Sequence, residues 1–113
     1  MACTITHHRK GCLANYCGYV NFDEHLRVVQ HIHFQNNYDT IQYVIDDLSA
    51  VTTLDLSQLN LHILMSHELG ARYTKPSIRT AIVSTDPGLK TLVKAFNAKT
   101  KLNMEFFRRC KRL

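Results

Sequence analysis

Residues 44–59 read VIDDLSAVTTLDLSQL: the end of a strand, a connection and the start of a helix. Residues 41–46, IQYVID, form a short apolar run rich in β-branched and aromatic side chains, the pattern of a buried strand. Asp46 and Asp47 close it. Neighbouring strand residues point to opposite faces, so these two carboxylates do not form a catalytic pair. They are expected to hold the loop over 49–54 through side-chain to backbone hydrogen bonds. LSAVTTLDLS reads as an irregular connection. Asp55 or Ser57 then caps a long helix reaching to about Tyr73, with Leu59 and Ile63 on one line and Leu61, Met65 and Leu69 on another. A helix that starts beyond a parallel strand lies at the carboxyl edge of the sheet. Its first N–H groups are unpaired there and favour an anion.

Upstream, CTITHH over 3–8 reads as a strand and Arg9-Lys10-Gly11 as a turn, with Gly11 free to take positive φ. CLANYCGYV over 12–20 is the returning strand of a hairpin. Asn21 caps a helix that runs to about Phe34. Glu24 completes a capping box, and Phe22, Leu26, Val29 and Ile32 or His33 make the apolar stripe. QNNYDT over 35–40 is a polar loop. Downstream, Lys75-Pro76 breaks the chain, and IRTAIVS over 78–84 suits a covered central strand. Asp86 and Pro87 open a third helix as N-cap and first residue, with Leu89, Leu92, Val93 and Phe96 inward. NMEFF over 103–107 reads as a last strand, and RRCKRL as a short helix or a frayed end. The order β-β-α-β-α-β-α-β implies parallel pairing through right-handed crossovers. The expected fold is α/β: one domain over 1–113, with a mixed five-stranded sheet (an N-terminal hairpin plus parallel β-α-β units) covered by helices.

The central segment resembles the signature of STAS domains, the sulfate-transporter and anti-sigma-factor-antagonist family. There a buried strand ends in Asp-Leu-Ser, and x-Val-x-x-Leu-Asp-Ser-Ser-Gly-Leu starts a helix. Asp47-Leu48-Ser49, Val51, Leu54-Asp55, Ser57 and Leu59 fall at those positions. RTAIVSTDP over 79–87 looks like the small bacterial SpoIIAA-like branch, where such a strand precedes a Thr/Ser-Asp-Pro helix start. The resemblance implies a non-enzymatic regulatory module that binds a protein or a small ligand. Its site would comprise Asp47, Ser49, Asp55, Leu56, Ser57, Gln58, Thr85 and Asp86. In phospho-regulated members the serine directly after the aspartate is phosphorylated, and about two added negative charges change which partner binds. Leu56 takes that place here. Ser57 is the neighbouring hydroxyl, and on a helix it would point about 100° away. The resemblance also implies an amphipathic helix after the last strand. Only about six residues follow Phe107, so apolar surface would be left bare and a homodimer could cover it.

Composition narrows the other classes. Hydrophobic residues make up 45% and charged residues 20%, which argues against a disordered chain. No stretch has the length of a membrane span or a signal-peptide core. Four cysteines are too few for a disulfide scaffold, so a reducing, cytoplasmic setting is expected. Charge is unevenly spread: of the 14 basic residues 11 lie from Arg72 onward, with only 2 of the 9 acidic ones. Such an end suits an acidic protein or peripheral contact with an anionic membrane. No RNA-binding motif accompanies it, which argues against nucleic acid. Seven histidines invite a metal, but their spacing does not serve one. His31 and His33 diverge by about 200° on a helix, His62 and His67 diverge too, and Cys12 and Cys17 face opposite sides of a strand. No phosphate-binding glycine loop or nucleophile motif occurs. Cys110 sits among arginines and lysines but has no base beside it. The expectation is therefore no enzyme, no metal and no cofactor. The alternatives are a carrier of a small lipophilic or anionic ligand and, behind it, a small enzyme using the same edge pocket.

Overall fold

A computed structural model of the chain describes residues 3–34, 40–55, 57, 68, 78–100 and 103–108. Five strands form one sheet whose spatial order follows the chain: β1 (Cys3–His7), β2 (Gly11–Asn21), β3 (Tyr43–Asp55), β4 (Arg79–Val83) and β5 (Glu105–Phe107). β1 and β2 are antiparallel, and every later pair is parallel. Two helices are described, α1 (Phe22–His33) and α2 (Pro87–Thr100). This is the expected mixed α/β sheet. The long helix expected over about 57–73 lies outside the described residues except for Ser57 and Glu68, as does the chain end beyond Arg108.

The hairpin closes where the His8 N–H donates to the Gly11 carbonyl at 2.8 Å. Gly11 is needed for a different reason from the one expected. The positive φ among the described glycines belongs to Gly18, at 68°. At Gly11 the Tyr43 ring of the neighbouring strand lies where a Cβ would stand. The Gln42 N–H donates to the Lys10 carbonyl at 2.6 Å, and the Gln42 carbonyl accepts from the Arg79 N–H at 3.0 Å. These two bonds align the starts of β2, β3 and β4.

β3 corrects the sequence reading. It does not end at Asp47, and residues 48–55 are not an irregular connection. The strand runs on to Asp55 because β2 is long enough to pair with it: Ala50 lies beside Cys17, Thr53 beside Tyr19 and Asp55 beside Asn21, with register shifts on the way. Val51, Thr52 and Thr53 are β-branched and favour that extended state. β4 follows β3 only as far as Asp47, and β1 follows β2 only as far as Tyr16. Beyond those points β2 and β3 continue as a two-stranded ribbon.

Inward side chains of the sheet lie on one face. The rows Cys12–Val44–Thr80 and Ala14–Asp46–Ile82 cross β2, β3 and β4 in register. All six residues are buried. α1 covers one side of this face with Val28 and Ile32, and α2 the other with Leu89 and Val93. Leu48 and Leu54 touch both clusters. The Asn21 side chain accepts from the Glu24 N–H at 2.9 Å, which is the N-cap expected of it. α2 starts as read: the Gly88 N–H donates to Asp86 Oδ1 at 2.8 Å, and the Asp86 N–H donates to Ser84 Oγ at 3.1 Å. Its far end holds β5. Asn97 Nδ2 donates to the Met104 carbonyl at 2.9 Å, and Asn97 Oδ1 accepts from the Met104 N–H at 3.0 Å.

Candidate functional site

The structure separates the expected site residues into two groups. Asp47 lies level with Val83 across β3 and β4. Its Oδ1 accepts from the Ser49 N–H at 2.9 Å and from the Ser49 hydroxyl at 2.6 Å. Of the two aspartates, Asp47 therefore makes the local bonds expected of both. Thr85 and Asp86 follow at the same end of β4, exposed, on a surface cleft of about 330 Å³ shared with Lys90 and Arg108. Asp55 lies six residues beyond Ser49, ~20 Å further along an extended strand. It sits at the end of the ribbon, where it takes the Tyr19 hydroxyl on Oδ2 at 2.5 Å and the Ser57 N–H on Oδ1 at 2.9 Å. The Ser57 hydroxyl, then that of Tyr19, then the Ser57 N–H hold the Asp55 carboxyl down at about 2. Leu56 and Gln58 lie outside the described residues.

Sequence reasoning missed a third locus, built around Asp46. Asp46 stands at the centre of β3 with Ala14 and Ile82 on either side. It is 6% exposed, and it accepts no hydrogen bond among the described residues. Burial first, and the Glu68 carboxylate second, push its carboxyl up to about 7. Glu68, also buried, lies 4.0 Å from His33 Nε2 through its Oε1. On the other side Tyr16 and His25 share a hydrogen bond of 2.9 Å between the phenol oxygen and Nδ1. Burial holds the His25 imidazole down at about 4, and burial together with the charge on Asp46 raises the Tyr16 phenol. Tyr16, His25, Asp46 and Glu68 line a cavity of about 80 Å³ between the sheet and its helices. The rest of the lining is mainly apolar, including Leu48, Leu54, Ile82, Val93 and Phe96. One signal pointed here: Asp46 shares its parity with Val44 and Leu48, so a strand that buries those two buries the carboxylate as well.

Other expectations meet simpler outcomes. Cys12 is buried and Cys17 exposed, on opposite faces as read. Burial pushes the Cys3 thiol up to about 11, far from a nucleophile's range. Among the described residues, no group of three or more His, Cys, Asp or Glu side chains is placed to hold a metal ion. No described helix is long and apolar enough to cross a membrane.

No family model matches the chain, and no curated protein matches it either. Solved structures do. The unphosphorylated form of the anti-sigma factor antagonist SpoIIAA superposes with a TM-score of 0.64 at 13% identity, covering 97% of this chain and 91% of that one. The chain has a SpoIIAA-like fold. An anti-sigma factor antagonist from Mycobacterium paratuberculosis gives a TM-score of 0.54 at 14% identity, over 91% of this chain and 83% of that one. An uncharacterized protein with a SpoIIAA-like fold from Shewanella loihica gives 0.51 at 14% identity, over 94% and 84%.

Proposed function

We propose that this SpoIIAA-like domain is a non-enzymatic regulatory module of the cytoplasm that binds a protein partner through the ribbon end and the carboxyl edge of its sheet. The observation that carries this reading is the Tyr19–Asp55–Ser57 network. Three polar groups, exposed Tyr19 and Ser57 and half-buried Asp55, are fixed to one another at the end of the ribbon, around a carboxylate that stays charged at every physiological pH. Preorganised, exposed polar groups of this kind favour recognition because little side-chain freedom is lost on binding. Asp47, Ser49, Thr85 and Asp86 complete the surface. A partner matching it presents a basic group to Asp55 and acidic groups to Lys90 and Arg108. Contact with an anionic membrane would engage the same basic side chains.

Ser57 has a role in this reading without phosphorylation, because its hydroxyl already donates to Asp55. A phosphate on that oxygen would oppose the carboxylate and break the network. The test is affinity purification from the native source with the parent chain and with Asp55→Lys. A partner held by the parent and lost with Asp55→Lys, at unchanged melting temperature, is the expected result. Retention of every partner by Asp55→Lys and by Tyr19→Phe with Ser57→Ala would overturn the reading. Native mass spectrometry of the same sample reads phosphate directly, and Ser57 is expected to carry none.

A second reading, a carrier of a small lipophilic ligand, is favoured by the apolar cavity beside Asp46. The carboxylates there oppose an anionic ligand.

A further inference from the structure

The core of this sheet contains an electrostatic conflict that packing does not resolve. A β-strand centre between two helices is the most desolvated position in the fold, and a carboxylate is among the costliest groups to place there unpaired. Asp46 occupies it, 6% exposed, with Ala14 and Ile82 as its lateral neighbours. Glu68, whose charge acts on it, has the same sign and adds to the cost. No lysine or arginine among the described residues lines the cavity that Asp46 faces. Tyr16 and His25 satisfy each other there. The cavity thus joins an apolar wall to the Asp46 carboxylate, which accepts no hydrogen bond among the described residues.

We infer that the cavity beneath the sheet binds a small apolar molecule with a protonated amine head, the head on the Asp46 carboxylate and the hydrocarbon against Leu48, Ile82, Val93 and Phe96. This rests on the ligand-carrying reading above and adds the chemistry of the ligand to it. The two halves of such a ligand match the two walls. An ammonium supplies the charge-assisted donors that a buried carboxylate lacks. A short alkyl body fills the space at the apolar side. The volume limits the body: about 80 Å³ is roughly half of a cavity that holds benzene. An alcohol of equal size would fill the apolar part but leave the charge uncompensated, and a carboxylic acid would add a third negative group.

The test uses n-butylamine, n-butanol and sodium butyrate on the whole chain at pH 7. Binding is read by the rise in melting temperature with concentration and by methyl shifts of Ile82 and Val93. The expected result is saturable binding of butylamine, with butanol at least tenfold weaker and butyrate silent. Asp46→Asn is expected to lower the butylamine affinity at least tenfold, to the level of butanol. Glu68→Gln, read in the same way, serves if Asp46→Asn does not fold. Equal binding of butanol and butylamine, or full butylamine affinity in a folded Asp46→Asn, would overturn the amine head and leave the carrier reading standing. Failure of both butylamine and butanol to bind at tens of millimolar would overturn both.

Discussion

Asp46 and His25 pull stability in opposite directions with pH. The folded Asp46 carboxyl titrates near 7 against an ordinary 3.8, so its contribution is complete below pH 3.8 and is lost as pH rises to 7. The folded His25 imidazole titrates near 4 against an ordinary 6.5, so its contribution is complete above 6.5 and is lost as pH falls to 4. At ~1.4 kcal/mol per tenfold change in proton affinity, each is worth ~3–4 kcal/mol as an upper figure. Relative to the parent, Asp46→Asn is expected to gain stability from pH 4 to 7, and His25→Asn to lose it from pH 4 to 6.5. Denaturant unfolding across that range measures both, and slopes of equal sign would refute the assignment. Gly11 carries a second prediction. A methyl there meets the Tyr43 ring, so Gly11→Ala is expected to cost ~1–3 kcal/mol as overpacking does. Tyr43→Ala should relieve most of that cost in the double variant, whereas additive losses would point to the backbone instead.

Among the elements, β5 is the shortest strand, and the side chain of Asn97 fastens the residue just before it. It has three residues, too few to hold an edge by pairing alone. The Asn97 amide supplies a donor and an acceptor to Met104 just before it, as a neighbouring strand would. Asn97→Leu removes both bonds and is expected to cost ~1–3 kcal/mol. Hydrogen exchange should show the Ser84 amide, which donates to the Phe107 carbonyl, losing protection while β2 and β3 keep theirs. Uniform loss across the sheet would mean that β5 is not a separable element. The element read least well from sequence was β3. Its first half has the apolar pattern of a strand covered by neighbours. Its second half, SAVTTLD, mixes small, polar and apolar residues. What extends it is the length of β2 beside it, and the pairing of two segments some thirty residues apart cannot be read from either alone. The caps were legible because they are local: Asn21 reaches Glu24 and Asp86 reaches Gly88 within three residues.

For the whole molecule, the surface that matters is the second face of the sheet. Among the described residues both helices lie on the Asp46 face. The other face carries Leu13, Ile45, Ala81 and Val83, all half-buried, and Phe107 at 48% exposure. A second copy is expected to cover it, giving a dimer at micromolar concentration that Phe107→Asp returns to monomer. A monomeric mass for the parent by light scattering would sink that expectation. By itself the sequence determined the order of the five strands and two described helices, the hairpin, the parallel alternation, the caps and the SpoIIAA-like pattern, because periodicity, turn chemistry and capping act over a few residues. Tertiary structure alone decided the rest. Strand pairing carried β3 past Asp47 to Asp55 and so separated the expected site residues into two groups. Packing of Ala14, Ile82, Tyr16, His25 and Glu68 around Asp46 turned an aspartate read as a turn-holding residue into a buried charge. Desolvation is a property of what surrounds a group in space, and Asp46 gathers its surroundings from four parts of the chain.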